Sequence, residues 1–181
     1  MSDSETVKCE TCGATWTVSP DALRHLVNEG LSLVEADDQD QLAPTDLSRV
    51  AEVIARLEKI MPPSSRPLLR LHTIAKNLHV PAAQPAALAY AQKALEGAYK
   101  VYPRNHPSIA LLRAESANLA AQIAVYIAEN GPGISEGKIK ARIADLRAAA
   151  DYCDLAFGKE STIATSLRGF AHDMDVSLQA M

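Results

Sequence analysis

Cys9 and Cys12 stand in the stretch VKCETCGATW, with Gly13 directly after the second. This C-x-x-C-Gly spacing lets two thiolates reach one metal ion from a single turn, which is how many zinc sites begin. Zinc asks for four N or S ligands, and the chain has only one other cysteine, Cys153. A Cys2His2 finger would be one way to finish the site. Trp16 stands where a finger has its aromatic residue, and His25 follows later in the chain. The last ligand should be a His roughly three to five residues further on, and Glu29 occupies that window. Ser19-Pro20 also reads as a helix start and not as the loop of a finger. The expectation is half a metal site, with Cys9 and Cys12 as ligands and zinc as the ion, and no closing pair within these residues.

The remaining chemistry-bearing side chains form no catalytic pattern. His72, His79, His106 and His172 are scattered, without i,i+4 pairing or an H-E-x-x-H arrangement, and read as helix-surface or capping residues. Cys153 lies among Tyr152, Leu155 and Ala156 and reads as a small buried hydrophobe. GPGISEG, the Gly-rich stretch, lacks the preceding strand and the lysine of a phosphate loop. No catalytic residue is expected.

The elements that must carry these residues are helices. Hydrophobic residues make up 48% of the 181 positions and aromatics only 4%, so Ala, Leu, Ile and Val supply the apolar surface. Ala and Leu lead the helix-propensity ranking, and small side chains let helices approach closely. The formal net charge of −4 offers no basic face for nucleic acid. The N-terminus MSDSETVKC has no apolar signal region, and no apolar run approaches the roughly 20 residues of a membrane span. A soluble chain of the cytoplasm and/or nucleus is expected, with no membrane partner.

Residues 1–18 form a polar segment with the Cys pair and a strand-like TWTV; 19–181 form the helical domain. Ser19-Pro20-Asp21 opens a first helix with a stripe of Leu23, Leu26, Val27, Leu31 and Val34. Thr45 or Asp46 caps a second, running to Met61 before PPSSRP. A third covers Pro67 to about His79, a fourth Pro85–Tyr102, and a fifth His106-Pro107 to Asn130-Gly131. A sixth spans about Ile139–Phe157, and a seventh starts near Ser161. Seven helices with short breaks predict an all-α fold of antiparallel hairpins.

Internal similarity favours an array over a bundle. Aligning Tyr102 with Phe157, 55 residues on, matches Ala94 with Ala149, Ala98 with Cys153, Pro103 with Gly158 and Leu112 with Leu167. Each unit has small residues on the packing face, an aromatic at the helix end, a breaker and a new helix. The expectation is a tetratricopeptide-like superhelical array.

The stretch PAALAYAQKALEGAYKVYPRNHPSIALLRAESANLA resembles the C-terminal helical domain of the SET-and-MYND-domain (SMYD-type) protein-lysine methyltransferases. The carrying features are Tyr102-Pro103 followed by His106-Pro107, the later Phe157-Gly158-Lys159-Glu160-Ser161 turn, and a Cys-bearing segment ahead of seven helices. Kinesin-light-chain-type repeats share a similar His-Pro turn. The resemblance implies that residues 1–18 are the tail of a post-SET segment, whose zinc is held by C-x-C-x-x-C plus a cysteine of the SET domain. Cys9 and Cys12 match the last two positions of that motif; Val7 falls on the first and Glu5 on an aromatic that packs on S-adenosylmethionine. The Asn-His-Ser-Cys cofactor motif and the active-site tyrosine segment are absent, and Asn105-His106 sits at a helix start between two prolines. S-adenosylmethionine would therefore belong only to a parent enzyme.

A concave array face commonly holds extended peptides. Acidic tails would need cations and amides converging there, and Arg70, Lys76, Asn77, Arg113 and Asn118 are the candidates at helical spacing. Three readings follow. The chain is an interaction and regulatory domain that gates the substrate cleft of a parent SET domain and binds peptides, including chaperone tails. It is one piece of an active lysine methyltransferase. Or it is a freestanding adaptor with a vestigial Cys pair.

Overall fold

The computed structural model describes residues 5–8, 13, 15–79, 85–131 and 133–180. Two short strands, β1 (Glu5–Lys8) and β2 (Thr15–Val18), pair antiparallel with Lys8 opposite Thr15. TWTV is thus a strand, as its β-branched content predicts. Cys9 and Cys12 belong to the connection between the strands and lie outside the described residues, so the zinc expectation keeps its sequence basis alone.

Among the described residues seven α-helices follow: α1 Pro20–Asp38, α2 Leu47–Leu57, α3 Arg66–Leu78, α4 Pro85–Val101, α5 Pro107–Asn130, α6 Glu136–Phe157 and α7 Thr162–Gln179. The all-α class holds. Proline begins α1, α4 and α5, where its missing N–H costs nothing and its fixed φ suits the first turn. Two boundaries differ from the periodic reading. Helix α2 stops at Leu57 and not at Met61: the Ile60 N–H reaches back only three residues to the Leu57 carbonyl, a 3-10-type bond, and the Met61 N–H shares that acceptor. Helix α6 begins three residues before Ile139, at Glu136. The predicted caps also differ in detail. Ser19 has the extended backbone of an N-cap without a capping hydroxyl bond, and the Asp46 carboxylate accepts the Ala43 N–H at 2.9 Å, closing the 3-10 turn before α2.

The helices pack in chain order. From α3 onward each lies against the next, while α1 also touches α3 and α5 touches α7. Alternate helices therefore share a side. The apolar interior falls into two large cores and a small third cluster of Ala87, Ala91 and Leu119, where α4 meets α5. Leu33, Val50, Val53, Leu57, Leu68 and Leu71 fill the first, among α1, α2 and α3; Ala110, Ile143, Leu146, Cys153, Leu167 and Met174 fill the second, among α5, α6 and α7. Helix α4 is the seam between them. It buries Ala87, Ala91, Ala94, Gly97 and Ala98, a small-residue stripe that seats it without large side chains. Gly97 is required by close approach: a Cβ there would lie 2.3 Å from the Pro63 carbonyl oxygen. In α1 the buried stripe runs through Leu26, Gly30 and Leu33, and Leu31 is exposed at 38%.

The 55-residue equivalence appears in burial at three matched pairs but not at Leu112, half-buried, and Leu167, buried. Ala94 and Ala149 are both buried, as are Ala98 and Cys153, while Tyr102 and Phe157 are both partly exposed at their helix ends. The two turns reach similar ends by different chemistry. At α4–α5, Tyr102 stacks on His106 with ring centroids 4.3 Å apart, and the His106 Nδ1 accepts the Ser108 N–H at 3.1 Å. At α6–α7, Gly158 takes φ +93°, and the Ser161 hydroxyl oxygen accepts the Ala164 N–H at 3.2 Å. Asn105-His106 is a turn and cap, as expected.

Candidate functional site

A groove of about 660 Å³ opens between α3, α5 and the end of α4. From α3 and the turn before it come Ser64, Arg66, Arg70 and Thr73; from α4 Val101 and Tyr102; from α5 Ser108, Leu111 and Glu115. Val101, Tyr102 and Leu111 are exposed, at 49%, 36% and 41%. The next furrow, between α5 and α7, shares Leu111 and Glu115 with it and adds Asn118, Thr162 and Ser166. Together they make one recessed side along α3, α5 and α7. Helix spacing brings the groove residues together: Arg66, Arg70 and Thr73 fall at i, i+4, i+7 on α3, and Leu111, Glu115 and Asn118 repeat that spacing on α5.

The five peptide-binding candidates separate here. Arg70 lines the groove, but its guanidinium already pairs with Asp38 and lies 3.8 Å from an Asp37 carboxylate oxygen. Burial pushes the Asp37 carboxyl up, against the pull of Arg70. Asn118 lines the neighbouring furrow, and Asn77 is exposed near the end of α3. Lys76 is buried, its ammonium 2.7 Å from the Glu115 carboxylate across the α3–α5 boundary. Arg113 belongs to a different recess, among α4, α5 and α6. There its guanidinium carbon sits 4.0 Å from the Tyr152 ring centroid, and it donates to the Tyr99 hydroxyl at 3.1 Å. Lys76 and Arg113 are thus engaged within the fold.

Sequence reasoning passed over Arg66, which lines the groove and has no ion pair among the described residues. It also passed over Tyr102 as a groove wall. The available signal was the SSRP start of α3, which places Arg66 in the first turn, where helical N–H groups and a cation together favour an anion.

His72 corrects the expectation of surface or capping histidines. It is 1% exposed, with Nε2 3.0 Å from Glu58 and its ring beside Tyr90. Glu58 also accepts from Lys93 of α4 at 2.7 Å, so the cluster ties the end of α2 to α3 and α4. Burial lowers the His72 pKa, and the Glu58 hydrogen bond only partly restores it. The lowered pKa favours the neutral ring; with Nε2 donating to Glu58, Nδ1 is left buried with no partner among the described residues. Burial pushes Glu58 up, but the Lys93 and His72 hydrogen bonds outweigh it and hold the carboxyl below its usual range. His79, stacked on Tyr90 at 5.7 Å, ends α3. The cluster acts as a polar clamp among α2, α3 and α4. Cys153 is fully buried as expected; burial, then Asp154, pushes its thiol pKa up.

Among the described residues no three His, Cys, Asp or Glu side chains converge as a metal site. Nor is any described helix long and apolar enough to cross a membrane. Comparison with protein-family models and with curated proteins found no match to this chain.

Proposed function

We propose that this chain is a protein-interaction and regulatory domain, a tetratricopeptide-like array whose recessed side takes an extended acidic segment. The observation that carries the reading is the groove among α3, α4 and α5, with Arg66 (unpaired among the described residues) and Arg70 (held by Asp38) on one wall and exposed Val101, Tyr102 and Leu111 on the other. Guanidinium forks pair with carboxylates in two-pronged fashion, and the apolar wall takes the intervening side chains. Exposed charge pairs contribute about 0.2–1 kcal/mol each, so such a complex is transient and salt-sensitive.

The resemblance to the SMYD-type methyltransferases extends this reading. The recessed side would face the SET domain of a parent chain, gate its substrate cleft, and receive chaperone C-terminal tails. Methyl transfer and S-adenosylmethionine would then belong to that SET domain, in the cytoplasm or nucleus. Cys9 and Cys12 would hold half of a zinc site completed from outside these residues.

The test is titration of the full chain with a short fluorescent peptide rich in Glu and Asp and ending in a free carboxylate. Arg66→Glu with Arg70→Glu should weaken binding about tenfold or more at low salt. Equal binding by the double variant, or preference for a Lys-substituted peptide, overturns the reading. Measurable affinity of this chain for S-adenosylmethionine would overturn its non-catalytic half.

A further inference from the structure

Helices α5 and α7 run in the same direction: residues 111–118 of α5 face 162–167 of α7, and 124–129 face 170–178. The far end of this furrow differs in character from the groove just described. It holds a more enclosed pocket of about 280 Å³ lined by Ala124, Val125, Ile139, Phe170, Met174 and Leu178. At that size it lies at or below the small end of ligand pockets, fitting one or two large side chains but not a cofactor. Polar side chains at its edge are Glu129, Asp173 and Ser177, and no Lys or Arg among the described residues lines it. Neither carboxylate has an ion-pair partner among the described residues, although Asp175 nearby is paired with Arg147 at 2.8 Å. On the adjoining α6 several acids are neutralised locally, Asp151 and Asp154 by Arg168 and Glu136 by Lys140. Glu129 and Asp173 therefore present two uncompensated negative charges beside an apolar recess.

We propose that this pocket docks a basic amphipathic segment of a partner protein. An apolar side chain enters between α5 and α7, and flanking Lys or Arg residues lie against Glu129 and Asp173. Charge complementarity selects this occupant. An acidic segment would meet like charge, and an uncharged one would leave both carboxylates uncompensated at the edge. A second copy of this chain is disfavoured by its own net charge of −4. The site is separate from the Arg66 groove, so among the described residues one recessed side presents an unpaired cation, Arg66, at one end and two unpaired carboxylates at the other.

The test uses the full chain and three synthetic peptides: an amphipathic Lys/Leu peptide, its Lys/Ser counterpart and its Glu/Leu counterpart. Fluorescence anisotropy should show that the Lys/Leu peptide binds and the other two bind at least tenfold more weakly. Glu129→Lys with Asp173→Lys changes only exposed residues. It should reverse the preference between the Lys/Leu and Glu/Leu peptides, while Arg66→Glu with Arg70→Glu leaves it unchanged, separating this site from the acidic-segment groove. The Met174 methyl resonance should shift on binding. Equal binding of Lys/Leu and Lys/Ser peptides, an unchanged preference in the charge-reversal variant, or an unshifted Met174 methyl overturns the proposal. So does sedimentation showing self-association that Glu129→Lys with Asp173→Lys abolishes.

Discussion

Lys76 of α3 and Glu115 of α5 meet at 2.7 Å, with 7% of the lysine side chain and 42% of the glutamate side chain exposed. The pair spans the boundary between the two large apolar cores, and its asymmetry governs how each partner responds to removal. Truncating Glu115 leaves an ammonium buried and unpaired, whereas replacing Lys76 by an apolar residue of like length removes charge and need together. Glu115→Ala should cost about 1–3 kcal/mol and Lys76→Met less than about 1 kcal/mol. Urea unfolding of the two variants measures the difference. The opposite order would mean that the pair is held by lysine packing and not by charge.

Gly97 and Gly169 are both helical, in opposite surroundings. A Cβ on Gly97 would collide with the Pro63 carbonyl oxygen and, at 2.6 Å, with Leu69 Cδ2, while nothing lies within 4 Å of one on Gly169. Backbone cannot give way as a flexible side-chain tip does. Gly97→Ala should therefore destabilise by about 2 kcal/mol or more. Gly169→Ala should stabilise by about 0.5–1 kcal/mol, because alanine restricts the unfolded chain and fits the helix. Thermal melts of both variants check the sign of each change.

The His72 clamp makes stability fall in acid. A histidine whose folded pKa lies below its ordinary 6.5 contributes stability present above 6.5 and lost as pH falls toward the folded value. The loss cannot exceed about 1.4 kcal/mol per pH unit for one proton. Glu58, also lowered, adds its own loss below its ordinary 4.5. His72→Gln keeps a donor for Glu58 and removes the titration. Its urea midpoint should be flatter than the parent's between pH 7.5 and 5, and a parallel fall in both proteins would reassign the effect to other groups.

If the Cys pair is half of a site completed from outside these residues, the purified chain should carry well under one equivalent of zinc. Metal analysis of the parent and of Cys9→Ser gives the answer. One equivalent, lost in the variant, would show that the chain closes the site itself.

The helix count and most helix ends were legible in the sequence because their causes are local. Pro20, Pro85 and Pro107 sit in first turns, Pro103 and Gly158 stop what precedes them, and alanine-rich runs between them prefer helix. The 55-residue similarity and the capping role of His106 were local as well. The Leu57 stop of α2 was not, since the periodic pattern runs on through Ile60 and Met61 while the backbone has already turned.

The site was legible only in part. Periodicity places a residue on a helix face but does not say which neighbour that face meets, so Leu31 and Leu33 could exchange roles, and did. Arg70, Lys76 and Arg113 look equivalent in the sequence, yet one pairs with the end of α1, one is buried against α5, and one lies over Tyr152 on another face. Short-range propensities and caps determined what the elements are. Which cations remain free, and where opposite charges gather along α3, α5 and α7, depends on contacts between residues far apart in the chain, and only the packing of the helices decides those.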